Sequence, residues 1–360
     1  MTRMPDPARP VTGGVDTHKD THSAVVIDEV GRVLGTDSFT VNARGYAALL
    51  AWMASYGQLV KVGVEGTGTY GAGLARHLTA KGVAVVEVIR PNRQTRRRRG
   101  KSDPTDAEAA ARAALNGEAA GAPKSRDGAI EALRALRVAR RGAVKARTQA
   151  SNQLRDLVVS APEALRARLV GLPTGERVVL AARFRPGSLI EATEATKAAM
   201  RSLALRYQAL SAEIDGLDAV LEQLVDDAAP EGFLDKTGVG TQVAAALLGT
   251  VGDNPGRLGT EASFAALCGA SPVDASSGKQ KRHRLNQGGD RQANSALWRI
   301  VFSRMSHDPR TKAYVERRTK EGKTTKEIIR CLKQYVAREV YRSLVPDARD
   351  ALATAAPVAA

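Results

Sequence analysis

Four acids stand where a metal-assisted phosphoryl-transfer site would need them. Asp16 closes a short apolar run, Gly13-Gly-Val-Asp16, and Glu65 follows another, Val60-Lys-Val-Gly-Val64. Asp103 and Asp106 lie about one helical turn apart, so both side chains can share a helix face. Acids at the ends of neighbouring strands, with an i, i+3 pair on an adjacent helix, can converge on one point. Such a cluster repels itself unless cations neutralise it. Oxygen ligands favour Mg²⁺, with Mn²⁺ as the alternative. Ions held there would stabilise the attacking and leaving oxygens of phosphoryl transfer. Each acid also has a plainer use. Asp103-Pro-Thr-Asp106 reads equally as a helix start with Asp103 as its cap, and Asp16-Thr17 as a turn.

A second constellation centres on Ser277, in Gly269-Ala-Ser-Pro-Val-Asp-Ala-Ser-Ser277-Gly278-Lys279, with Lys281, Arg282, Arg284 and Arg291 close behind. A serine hydroxyl is a poor nucleophile until a base takes its proton. Clustered cations stabilise an anionic transition state at phosphorus, which makes a phosphodiester the natural electrophile. The plainer reading is a flexible loop whose cations position phosphates. No general base can be named, and His283 is more simply a phosphate contact. Upstream, Gly238 and Gly240 form a Gly-x-Gly turn before an apolar helix, a place where backbone N–H groups can hold a phosphate. A competing motif, Gly66-Thr-Gly68-Thr-Tyr-Gly71 with Glu87 about twenty residues on, matches a dinucleotide fingerprint. That reading leaves Asp103 and Asp106 without a task.

The elements that must position these residues follow from periodicity. Three short apolar runs before residue 42 predict an antiparallel meander. Helix, buried strand, helix, buried strand and helix then alternate to Leu115, with the last helix over Asp103 to Leu115. After the polar joint at 116–123 a long helical section runs to about Asp227, broken near Gly171-Leu-Pro173 and Pro186-Gly187. In it, Leu203, Tyr207, Leu210, Ile214, Leu217, Leu221 and Leu224 recur at alternating spacings of four and three. That is a coiled-coil seam or an amphipathic helix packed on its own domain. Arg134, Arg137, Arg141 and Lys145 share another helical face. The expected layout is an α/β domain at 1–122, a helical, coiled-coil region at 123–230, a helical domain at 231–345 and a flexible tail at 346–360.

Charge narrows the partners. The 360 residues carry 54 Lys/Arg and 38 Asp/Glu, a net charge of +16, which suits a polyanion. From Lys279 to Arg342 there are 18 basic residues against six acidic ones. A second block holds Arg90, Arg93, Arg96, Arg97, Arg98, Arg99 and Lys101, directly before the acid pair. Aromatics make up 4%, so phosphate contacts rather than base stacking should dominate. Two cysteines build no disulfide framework, no leader is evident, and no apolar run could span a bilayer, so a cytoplasmic protein without a membrane partner is expected.

Taken in order, Gly14-Val-Asp16-Thr-His-Lys19, Glu65-Gly-Thr-Gly-Thr-Tyr70, Lys101-Ser-Asp103-Pro-Thr-Asp106-Ala107 and the Gly269–Gly278 loop resemble the DEDD-type transposases of bacterial insertion sequences in the IS-one-ten family. The resemblance covers nearly the whole chain. Gly66 stands where the family usually has alanine, and Gln287-Gly-Gly-Asp290 where a basic residue and a Gly-Asn pair are more usual. The resemblance implies an N-terminal RuvC-like, RNase H-type domain holding Mg²⁺ through Asp16, Glu65, Asp103 and Asp106. It implies a central coiled coil and a C-terminal helical transposase domain with Ser277 as nucleophile. It further implies DNA recombination through a covalent serine–DNA intermediate, guidance by a non-coding RNA, and a dimer or tetramer formed through the coiled coil, in which the acids of one subunit meet the serine of another. A metal-dependent nuclease without serine chemistry, or a structural nucleic-acid binder, would share the same charges.

Overall fold

The computed structural model describes residues 9–88, 102–119, 121–274, 283–284 and 286–345. Two compact units emerge: Met1–Arg126 with Val251–Thr260, and Asp127–Thr250 with Glu261–Ala360.

In the first unit, β1 (Pro10–Thr17), β2 (Thr21–Asp28) and β3 (Val33–Thr40) precede α1 (Ala43–Ala54), β4 (Gln58–Glu65), α2 (Ala72–Ala80), β5 (Ala84–Val88) and α3 (Asp103–Leu115). The sheet order is β3-β2-β1-β4-β5. The first three strands form the expected antiparallel meander, whereas β4 joins β1, and β5 joins β4, in parallel. This mixed sheet is consistent with an RNase H-like domain. It differs from the parallel sheet of a dinucleotide fold.

Strand alternation gives the sheet two unlike faces. Val11, Val15, Ala24, Val26, Val62 and Val64 pack on Leu49 and Met53 of α1 and on Leu74 and Leu78 of α2. On the other face, Val25 and Ile27 pack on Ala107 and Ala111 of α3. The first unit also takes in a segment from far down the chain. Asn254 donates from its side-chain amide to the Pro123 carbonyl at 2.9 Å and accepts from the Ser125 N–H at 3.3 Å.

The second unit is helical. It contains α4 (Ala129–Ser160), α5 (Glu163–Arg166), α6 (Thr174–Ala182), α7 (Ala192–Ala228), α8 (Thr241–Val251), α9 (Glu261–Leu267), α10 (Arg291–His307), α11 (Pro309–Lys320) and α12 (Thr325–Leu344). A two-strand ladder of β6 (Val273–Asp274) and β7 (His283–Arg284) adds the one described β feature here. α4 and α7 run antiparallel, because Arg140 holds Asp218 with two guanidinium nitrogens and Arg147 reaches both Ser211 and the Tyr207 ring. Ile214 and Leu221 of the heptad seam are buried, while Leu203 and Tyr207 pack on the cluster around Leu154, Val158 and Met200. Within the chain, then, the seam helix packs against α4. No described helix is long and apolar enough to cross a membrane.

Candidate metal centre and nucleic-acid interface

The acids are positioned by a close approach of α3 to the sheet, and two strand glycines permit it. A Cβ on Gly14 would lie 2.2 Å from the Ala107 carbonyl oxygen and 2.3 Å from the Ala111 nitrogen. A Cβ on Gly63 would lie 2.4 Å from the Ala110 carbonyl oxygen. With Ala107, Ala110, Ala111 and Ala114 on its buried face, α3 therefore sits almost directly on the backbone of β1 and β4. Alternation from Gly14 to Asp16, and from Gly63 to Glu65, puts both strand-end acids on the face that α3 covers. Val15 is paired with Val64, so Asp16 and Glu65 end neighbouring parallel strands side by side.

At the start of α3 the cap is Ser102, with extended backbone at φ −144°, and Asp103 is the first helical residue. The reading of Asp103 as the cap is therefore corrected by one position. Its carboxylate turns to the sheet end instead. Asp16, His18 and Asp103 each offer one ligand atom, and these atoms lie within 4.8 Å of one another. The His18 ring bridges the two acids, with Nδ1 at 3.7 Å from Asp16 and Nε2 at 3.8 Å from Asp103. Asp16 is buried, whereas His18 and Asp103 are about half exposed, so the cluster opens to solvent on one side.

Asp106 lies one turn further along α3 and is 3% exposed. Glu65 is half-buried, its carbonyl accepting from the Thr17 hydroxyl at 2.8 Å. Neither belongs to the 4.8 Å group. The structure thus brings two of the four expected acids together with a histidine that sequence reasoning did not single out. The signal for it was its position: His18 stands two residues beyond Asp16, in the turn directly after β1. Two carboxylates suit a hard divalent cation, and the imidazole shifts the donor set towards Mn²⁺.

The competing glycine motif has a structural explanation. Gly66 takes φ +70°, the left-handed region that turns β4 towards α2. Glu87, the acid expected to hold a ribose, accepts a 2.5 Å hydrogen bond from the Thr67 hydroxyl of the same loop.

In the second unit the basic face of α4 divides. Arg134 is held by Glu131, with nitrogen to oxygen at 2.6 Å, and Arg140 by Asp218. Arg137, Arg140 and Arg141 line a cavity of about 240 Å³ with Arg291 and Arg299 of α10, and with Gln242 and Ala246 of α8, Arg140 doing so while paired with Asp218. Arg137 donates to the Ala245 carbonyl at 3.3 Å. Burial, then the adjacent Arg141 charge, pushes its guanidinium below the usual value, with Asp290 opposing. Lys145 is exposed.

Gly238, at φ +87°, is accounted for by packing, since a Cβ there would lie 3.0 Å from the Ile300 backbone. Gly240 borders a cavity shared with Asp218 and Glu222, a lining that does not favour phosphate. Arg284 is exposed on β7. Ser277, Lys279, Lys281, Arg282, Arg93, Arg96, Arg97, Arg98, Arg99 and Lys101 lie outside the described residues.

Two family models match the chain. A DEDD-type IS110 model described as "Transposase" covers residues 13–161. One described as "Transposase IS116/IS110/IS902 family" covers residues 233–316. The chain belongs to the IS110 family of transposases. The first IS110 match opens at β1 and closes at the end of α4, so it contains all four acids. The second contains Ser277, all of α10 and most of α11. A similar protein is the "Insertion element IS110 uncharacterized 43.6 kDa protein" of Streptomyces coelicolor, 35% identical over 102 residues. That stretch is 28% of this chain and 25% of the relative.

Proposed function

We propose that this IS110-family chain is a DNA transposase that cuts and rejoins strands of an insertion sequence, with two chemical centres. The convergence of Asp16, His18 and Asp103 at the sheet end, in a family of transposases, carries the reading. Asp16, Glu65, Asp103 and Asp106 are the proposed metal-site acids, Mg²⁺ the proposed ion, and His18 an added donor. A divalent ion held there would polarise the scissile phosphate and offset the charge of the acids.

Ser277 is the proposed nucleophile. Its Oγ attacks phosphorus and gives up its proton, while the departing deoxyribose oxygen takes one up. One phosphodiester is exchanged for another, so no energy source is needed and the strand can be rejoined. Arg137, Arg141, Arg291 and Arg299 supply a seat for nucleic-acid phosphates. A guide non-coding RNA and assembly of chains through the α4–α7 region complete the proposal. The protein then acts on DNA in the bacterial cytoplasm.

The test separates the two centres. Incubation with DNA of the element's ends and Mg²⁺ should yield a covalent protein–DNA adduct that Ser277→Ala abolishes without loss of DNA binding. Asp106→Asn should remove metal-dependent cleavage. Metal-dependent cleavage without any adduct would instead establish the nuclease reading, and full recombination by Ser277→Ala would reject the serine.

A further inference from the structure

A second cation-lined cavity, of about 360 Å³, opens in the helical unit at the root of the serine loop. Its wall includes Arg284 of β7, Arg318 of α11, Lys323, and Arg330 and Lys333 of α12. Pro272 and Arg284 both line it, and the β6–β7 ladder pairs Val273 with Arg284. The described residues that flank the Ser277 segment in sequence, 272–274 and His283–Arg284, therefore lie at this cavity.

Lys333 is the unusual member. It is 5% exposed, and its ammonium donates to the Asn294 side-chain oxygen at 2.9 Å. An ammonium has three donors, and an amide oxygen brings no compensating charge. A buried cation without an acid is costly unless an anion comes to it. The same Asn294 donates to the carbonyls of Cys268 and Gly269, both at 2.9 Å, so one side chain orients the ammonium and anchors the start of the loop. The wall carries five cations against one acid, so an excess of positive charge faces the cavity. Glu327 accepts from the Thr324 N–H and hydroxyl in a capping box, which holds its carboxyl below the usual range, with Arg330 and Lys323 adding to the effect. Arg318 is shared with Glu321, whereas Arg330 and Lys323 carry no ion pair among the described residues.

We propose that this cavity seats a phosphodiester of the nucleic-acid strand that reaches the serine loop, with the Lys333 ammonium as its innermost contact. The proposal rests on the transposase reading for the identity of the strand. The phosphate chemistry rests on the cavity itself. Charge-assisted contacts from a buried ammonium are among the stronger ones a phosphate can receive, and they would hold the diester at the cavity.

The full chain tests it in two arms. Inorganic phosphate at constant ionic strength should raise the melting temperature saturably in the unsubstituted protein and in Ser277→Ala. Lys333→Met should lose the part of that response that remains when Arg137 and Arg141 of the other cavity are both replaced by Gln, and Arg330→Gln, at the rim, should weaken it. A short single-stranded DNA should bind Lys333→Met about tenfold more weakly, the scale of one lost charged contact. The uncharged methylphosphonate analogue should bind both proteins equally.

An equal phosphate response in all variants, or none in the unsubstituted protein, overturns the seat. A phosphate response lost in Lys333→Met with unchanged DNA affinity makes it a free-anion site and overturns the strand assignment. Should Lys333→Met fail to fold, an unchanged response in Arg330→Gln overturns it instead. Loss of Ser277 adduct chemistry with the phosphate response intact would fell the transposase reading and leave the seat standing.

Discussion

Replacing Gly14 by alanine tests how the acids are assembled. The added Cβ would meet two backbone atoms of α3, at 2.2 Å and 2.3 Å, against a normal contact near 3.5 Å. Neither is the end of a flexible side chain, so the helix itself must retreat, by about 1 Å. Overpacking of this kind costs about 1–3 kcal/mol of unfolding free energy. Asp103 and Asp106 ride on α3 while Asp16 stays on β1, so the retreat also pulls the ligand set apart. Loss of support of that order lowers metal affinity about 10–100-fold. Denaturant unfolding gives the first quantity and calorimetric Mn²⁺ titration the second. Gly63→Ala, which meets the Ala110 carbonyl at 2.4 Å, should reproduce both effects. If Gly14→Ala keeps both stability and Mn²⁺ affinity, the close approach of α3 is not what builds the centre.

Gly142→Ala and Gly216→Ala make the opposite case: both lie within helices with open space around the added carbon, and each should stabilise the chain by about 0.5–1 kcal/mol in denaturant unfolding. A loss there would mean that another helix covers that face. His18→Asn should weaken Mn²⁺ binding more than Mg²⁺ binding, because an imidazole nitrogen suits the former better; equal losses in titrations with the two ions would remove His18 from the ligand set. The Glu339 carboxyl is held below its usual range, chiefly by the two hydrogen bonds from Arg304, against the opposing effect of burial. Its contribution to stability is therefore present above the unfolded value of about 4.3 and fades as pH falls through the lowered folded value. Glu339→Gln should be less stable than the unsubstituted protein near neutrality, and the gap should narrow on acidification; a gap independent of pH would refute the pairing.

The sequence by itself determined those features that local pattern encodes. The meander, the alternation of buried strands with helices, and the placing of Asp16 and Glu65 at strand ends follow from period-two and period-3.6 patterning. The α3 bounds were legible because Pro104 favours the first turn and Gly117, at φ +73°, ends the helix. The tertiary structure alone decided which residues meet across long separations. It gave the heptad seam a partner in α4, gathered Arg137, Arg140 and Arg141 at one cavity while Arg134 pairs with Glu131, and placed His18 between two acids. It also carried residues 251–260 into the first unit and buried Lys333 beside Asn294. The reason is physical. Periodicity reports which side of an element is apolar, whereas ion pairing, burial of a charge and the approach of two backbones depend on what the rest of the chain brings to that side.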